Sequence, residues 1–170
     1  MLLGYLACAL GLSRGMEAGA VVARRYGLLG GIALGAGWLV VLFPTGPLKE
    51  WVAMPLAIVM LGPAGVAALA GRATRDAKAA TAAATWCGLV GGLLVFVIWV
   101  TATYLHDGGP FDPQLIRDFH ASGARDLTAY AVSDNLGSAL GMLMIIPTVA
   151  LAAGSLAARI ASDATRPGRD

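Results

Sequence analysis

The amino-acid sequence predicts an all-helical, polytopic membrane protein: a bundle of five transmembrane helices, or four if residues 1–23 do not cross the membrane. Hydrophobic residues make up 58% of the chain and charged residues only 13%, whereas charged residues make up about a quarter of a soluble domain. The run from Ala82 to Leu105 contains 24 residues and no charged side chain. At about 1.5 Å per helical residue, it is long enough to cross a hydrocarbon core of about 30 Å.

Charges and turn residues divide the rest of the chain into further spans. Arg24, Arg25 and Tyr26 interrupt the first apolar stretch, and the Pro- and Gly-containing sequence at 44–47 interrupts the second. The apolar stretch after residue 127 is longer than one perpendicular span needs, so only its later part is placed in the membrane. The predicted spans are residues 2–23, 26–43, 51–70, 82–105 and 136–158, and a polar tail follows at 159–170.

The connection between the last two spans predicts a short helix on the outer membrane surface. Asp112 is a favourable N-cap, and Pro113 suits the first helical position. The apolar residues that follow fall on one helical face until Gly123.

The distribution of basic residues predicts the orientation of these spans. Eight basic residues lie on one side and three on the other, and cytoplasmic segments of membrane proteins carry an excess of Lys and Arg. We therefore place the eight, and the C-terminus, in the cytoplasm. The eight are Arg24, Arg25, Arg72, Arg75, Lys78, Arg159, Arg166 and Arg169, and the three are Lys49, Arg117 and Arg125. Abundant Ala and Gly, with far more Arg than Lys, suggest GC-rich coding and a bacterial inner membrane.

Small residues predict how the helices pack. They recur at every fourth position from Ala7 to Gly35, and G-x-x-x-G pairs occur at residues 88/92 and 137/141. This spacing lets membrane helices approach each other closely. We therefore predict a protein that acts through helix–helix association, as a homo-oligomer or as the membrane subunit of a larger assembly. The expected partners are the lipid bilayer and a membrane protein, and nothing points to nucleic acid.

A small transporter or channel is the first alternative. Arg14 and Glu17 lie about one helical turn apart in the first predicted span, where ionisable groups usually face a bundle interior or a water path. Gly62 and Pro63 can break the third span, as in many secondary transporters. A structural ion pair and a simple proline kink are the competing interpretations.

A membrane enzyme with a site on the outer face is the second alternative. Both histidines and five of the eight aspartates lie in the outer connection, and such side chains can bind metals or transfer protons. The candidate binding residues there are His106, Asp107, His120, Asp134 and Asn135. No known catalytic or metal-ligand spacing occurs, so we predict no catalytic residue, metal or cofactor. Asp134 can instead cap the final helix.

Overall fold

The computed structural model describes residues 2–14, 17–42, 54–105 and 113–164, and within these ranges all regular structure is helical. This confirms the predicted all-helical class. The six helices are α1 (Leu2–Ser13), α2 (Glu17–Leu42), α3 (Met54–Thr74), α4 (Ala77–Leu105), α5 (Pro113–Ser122) and α6 (Leu127–Ala164).

Helices α3, α4 and α6 are each long and apolar enough to cross a membrane, over Ala57–Thr74, Ala77–Leu105 and Leu127–Ala157 respectively. The prediction of transmembrane helices is confirmed at these three places, and the count of five is not. The short helix predicted from Pro113 is also present. It ends at Ser122, where Gly123 takes a positive φ of 71°, the left-handed conformation that commonly terminates a helix.

The first helix boundary differs from the sequence prediction. We expected the chain to leave one helix at Ala23 and start another at Tyr26, but α2 runs through this point without interruption. The break lies earlier, between the end of α1 at Ser13 and the start of α2 at Glu17. The physical reason is that Arg24 and Arg25 are exposed, and long basic side chains are good helix formers that can extend along an exposed face.

The break in the third span that the transporter alternative requires is also absent. Helix α3 continues through Gly62 and Pro63, and the proline ring is fully buried. A tight connection follows. Arg75 adopts a positive φ of 54°, and Asp76 Oδ1 accepts the Lys78 amide at 2.9 Å, which caps α4. Helices α3 and α4 are therefore antiparallel neighbours.

Close glycine contacts define how the long helices run. Gly27, Gly31 and Gly35 of α2 face residues 86, 90 and 94 of α4 in turn, so α2 and α4 are parallel. Gly88 of α4 faces Ala150, while residue 154 faces residue 84, so α6 is antiparallel to α4. Helix α3 is antiparallel to α2 by the same criterion, because residues 30 and 37 face residues 66 and 58.

The two ends of this bundle differ in charge. Exposed basic residues gather where α2 and α4 begin and α3 and α6 end, which we call the basic end. They are Arg24, Arg25, Arg72, Arg75, Lys78 and Arg159. The opposite end, where α4 ends and α5 and α6 begin, is called the far end. It carries the exposed residues Arg117, Asp118, Arg125, Asp126 and Asp134.

Buried residues also differ in size along the bundle. Toward the basic end they are mainly alanine, and toward the far end tryptophan and branched aliphatic side chains are buried together with the alanines Ala102, Ala131 and Ala139. The first group includes Ala20, Ala23, Ala70, Ala79, Ala80, Ala82, Ala83 and Ala84, and the second includes Leu34, Trp38, Val59 and Val95. Helix α1 packs mainly against α4.

Candidate functional site

Helix α6 begins two turns before the position that the sequence suggested. Asp126 caps it, because its Oδ1 accepts the Ala129 amide at 3.1 Å and its carbonyl oxygen accepts the Tyr130 amide at 3.1 Å. Asp134 therefore lies within the helix, and the predicted capping role for Asp134 is wrong. The apolar run from residue 136 marks where α6 becomes hydrophobic, whereas the helix itself starts at the cap.

The second and third turns of α6 carry a shallow polar cleft of about 460 Å³ that is widely open to the outside. Five side chains or backbone positions line it, all from α6: Tyr130, Ser133, Asp134, Gly137 and Ser138. The spacing of these residues puts them on one helical face. Gly141, one turn further, continues this face, and we refer to the six residues as the α6 face.

The α6 face is unpacked where its glycines lie. A β-carbon added at Gly137 or Gly141 would meet no atom within 4 Å. At Gly35, by contrast, it would lie 2.7 Å from Leu94 Cβ, and at Gly88 it would lie 3.0 Å from Pro147 Cα. The glycines at 137 and 141 thus have the spacing of a helix contact without a helix beside them in the described part of the chain.

Asp134 is exposed at the centre of this face. Within the described ranges its carboxylate takes part in no hydrogen bond or ion pair. Two hydroxyl-bearing residues flank it in the cleft, Ser133 and Ser138, and Tyr130 lies one turn before it on the same face. This group can accept hydrogen bonds and attract a cation, and the cleft contains no nucleophile–base pair.

A second polar group lies on the other side of α6, within the bundle. Trp99 Nε1 of α4 donates to Asn135 Oδ1 at 3.0 Å, and Asn135 Nδ2 donates to the Ala131 carbonyl at 3.0 Å. Trp38 of α2 packs on Trp99 with ring centroids 6.0 Å apart. We call Trp38, Trp99 and Asn135 the tryptophan–asparagine cluster, and it joins three helices near the far end.

Trp38 is the exceptional member of the cluster. Its side chain is only 1% exposed, yet its Nε1 donates to no acceptor in the part of the chain that the structure describes. Sequence reasoning missed both tryptophans. The signal that could have found them is their position inside the apolar runs of α2 and α4.

The remaining candidate residues are scattered. His120 is exposed on α5, where its ring lies against Phe119, and Phe119 in turn meets the Tyr130 ring edge-on with centroids 5.7 Å apart. This contact holds α5 beside the cleft. Arg14 is exposed after the end of α1, and Glu17 is the first residue of α2. His106 and Asp107 lie outside the described residues.

Among the described residues, no group of three or more His, Cys, Asp or Glu side chains is arranged to hold a metal ion. Asp134 and Asn135 are adjacent in sequence but serve different surfaces, one turned outward and one bonded to α4. No protein-family model matches the chain, and comparison with characterised proteins and with solved structures gives no similar protein.

Proposed function

We propose that this is a multi-pass membrane protein that acts by binding another transmembrane helix through the α6 face, without a catalytic site of its own. The observation that carries the proposal is the open space at Gly137 and Gly141. In membranes, small residues four apart allow close backbone approach and mark helix interfaces. Gly31 and Gly35 of α2 have the same spacing and already pack against α4. By analogy, we infer that another helix packs against Gly137 and Gly141.

The packing of the interior supports association over transport. Buried side chains of the described helices are overwhelmingly apolar, and the buried threonines Thr85 and Thr103 donate to carbonyls of their own helix at 2.8 and 2.9 Å. None of the buried residues in these ranges is charged. A transport path needs polar groups or water along its length, and helix α3 offers no break at Gly62–Pro63 to provide one.

The proposal includes a topology of four crossing helices. Helix α2 has 26 residues, or about 39 Å, and lies parallel to α4, so we place it across the membrane with α3, α4 and α6. Helix α1 has 12 residues, or about 18 Å, which is too short to cross. The basic end and the C-terminus face the cytoplasm of a bacterial inner membrane, in keeping with the positive-inside tendency.

Assembly size in native membranes tests this function. We expect the tagged wild-type chain, cross-linked in membranes and then solubilised, to migrate as an assembly larger than one chain. Gly141→Leu should shift it to the single-chain position, because a bulky side chain prevents close approach. Gly65→Leu is the matched control, since residue 65 of α3 is also a glycine with nothing within 4 Å. A wild-type chain that migrates alone would contradict the proposal.

A further inference from the structure

We infer that the helix bound by the α6 face carries a lysine or arginine that pairs with Asp134. This inference rests on the proposed function and specifies the chemistry of the partner. Its starting point is the exposed carboxylate of Asp134 at the centre of a surface otherwise made of glycine, serine and one tyrosine.

The depth of Asp134 in the bundle makes its charge significant. Its neighbour Asn135 is hydrogen-bonded to Trp99, which precedes the end of α4 at Leu105 by six residues, or about 9 Å along the helix axis. Asp134 therefore lies below the rim of the far end, close to the edge of the hydrocarbon in the proposed topology. At the edge of the hydrocarbon, water still reaches the carboxylate, but a helix packed over the α6 face would remove that water, and a buried charge is costly without a partner. A cation on the incoming helix offsets that cost.

The surroundings of Asp134 fit a cationic side chain. Ser133 and Ser138 provide hydroxyl oxygens that can accept further N–H groups, and Tyr130 provides an aromatic ring one turn away on the same face. Lysine and arginine both bind carboxylates and both interact favourably with the faces of aromatic rings. The partner helix would carry a small-residue pair opposite Gly137 and Gly141. Its basic residue would lie one turn toward the far end, where it can pair with the Asp134 carboxylate.

A second copy of the chain fits this surface poorly. In a symmetric dimer, the same patch meets itself, and two copies inserted in the same orientation would bring their α6 helices together as parallel helices that cross at the same residues. Asp134 is one turn from Gly137 on the same face, and two such copies would bring the two carboxylates together. Like charges at short range oppose association. Charge complementarity therefore favours a different, basic helix as the occupant.

The test uses the full-length chain, labelled with a fluorescent donor, in phosphatidylcholine vesicles. The probes are acceptor-labelled synthetic Leu/Ala transmembrane peptides with one G-x-x-x-G pair. Three versions carry Arg, Gln or Glu one turn from the first glycine on the same face. We expect the Arg peptide to bind about tenfold more tightly than the Gln peptide, and the Glu peptide more weakly than both.

Variants of the chain assign this preference to Asp134. Asp134→Asn should remove the difference between the Arg and Gln peptides, while leaving the Gln peptide bound as before. Gly141→Leu should abolish binding of all three peptides, and Gly65→Leu should abolish none. Ser138→Leu provides a second blocking variant, and circular dichroism of each variant establishes that it is folded.

The outcomes separate this inference from the proposed function. Equal binding of the Arg, Gln and Glu peptides, lost in Gly141→Leu, overturns the cation and leaves the helix-binding function standing. Peptide binding that survives both Gly141→Leu and Ser138→Leu overturns both. Energy transfer between two labelled copies of the chain, lost in Gly141→Leu, identifies a second copy as the occupant and overturns the inference. Displacement of the Arg peptide when phosphatidylethanolamine is included in the same vesicles, absent in Asp134→Asn, does the same in favour of a lipid headgroup.

Discussion

The indole of Trp38 is buried and the indole of Trp99 is half-buried. They differ in whether the ring nitrogen donates a hydrogen bond. Trp99 Nε1 donates to Asn135, whereas Trp38 Nε1 is buried and donates to nothing. An unsatisfied buried donor costs about 1–3 kcal/mol, and a satisfied one contributes about 1 kcal/mol. The two residues therefore contribute differently to stability although their rings lie side by side.

We predict that Trp99→Phe destabilises the protein by about 1–3 kcal/mol more than Trp38→Phe does. Both substitutions remove a similar volume, and the packing loss is the greater at Trp38 because it is more deeply buried than Trp99, so a larger total loss at Trp99 would come from its hydrogen bond. Only the first removes a hydrogen bond between α4 and α6. The free energy of unfolding, measured by denaturant titration in mixed micelles, provides the comparison. Equal losses would contradict this prediction.

A second pair of residues tests the start of α6. Asp126→Ala should cost about 1 kcal/mol because it removes the side-chain cap, and Asp126→Ser should retain most of that stability. Asp134→Ala should change the stability of the isolated chain by less than about 0.5 kcal/mol, because Asp134 is exposed within the helix. A larger loss at Asp134 than at Asp126 would show that residue 134 has a structural role.

At the residue scale, the sequence misjudged the role of Asp134, which lies inside α6 and does not cap it. A polar residue directly before an apolar run resembles an N-cap, but a helix can start outside the membrane and enter it later. The turn chemistry at Asp126 decides where α6 begins, and hydropathy does not report it. The orphaned Trp38 donor depends on side-chain packing, which no local pattern encodes.

At the scale of helices, glycines with the same spacing have two different roles. Those of α2 and the pair at residues 88 and 92 bring helices of this chain together, whereas Gly65, Gly137 and Gly141 have open space around them. The small-residue pattern therefore does not indicate which stripes pack within the chain. That distinction depends on which helices become neighbours, a property of the whole bundle.

Alanine substitutions should separate these roles. Gly88→Ala places a β-carbon against Ala150 Cβ and within 3.0 Å of the Pro147 backbone, so we expect a loss of about 1–3 kcal/mol as α4 and α6 are forced apart. Gly65→Ala meets nothing within 4 Å and should stabilise by about 0.4–1 kcal/mol, because alanine reduces the entropy of the unfolded chain. Unfolding titrations of the two variants provide the measurement, and a stabilising Gly88→Ala would contradict the α4–α6 contact.

Helix boundaries were predictable where a strong local signal defines them. Pro113 and Gly123 bracket α5 as expected, because one suits the first helical turn and the other the left-handed end. The boundary near Arg24 was misplaced because charge was taken as the sign of a membrane interface. Exposed arginines within a continuous helix also give basic residues between two apolar stretches, so charge alone does not locate the end of a helix.

At the scale of the whole molecule, the gathering of basic residues at one end predicts the orientation. In a chain lacking Cys8 and Cys87, single cysteines at the exposed positions Ala77 and Ala124 would mark the basic and far ends. We expect a membrane-impermeant thiol reagent to label residue 124 in intact cells, and residue 77 only after the membrane is opened. The reverse pattern would invert the topology.

The gradient in side-chain size along the core has a consequence for the surrounding lipid. Helices that meet through alanines approach more closely than helices separated by indole rings, so the chain should occupy less area in one leaflet than in the other. A molecule that is broader at its far end relieves curvature stress when that end lies in the expanded outer leaflet of a small vesicle. The fraction of molecules inserted with the far end outward should therefore rise as vesicle diameter falls, as measured by protection of Arg72 and Arg75 from external trypsin.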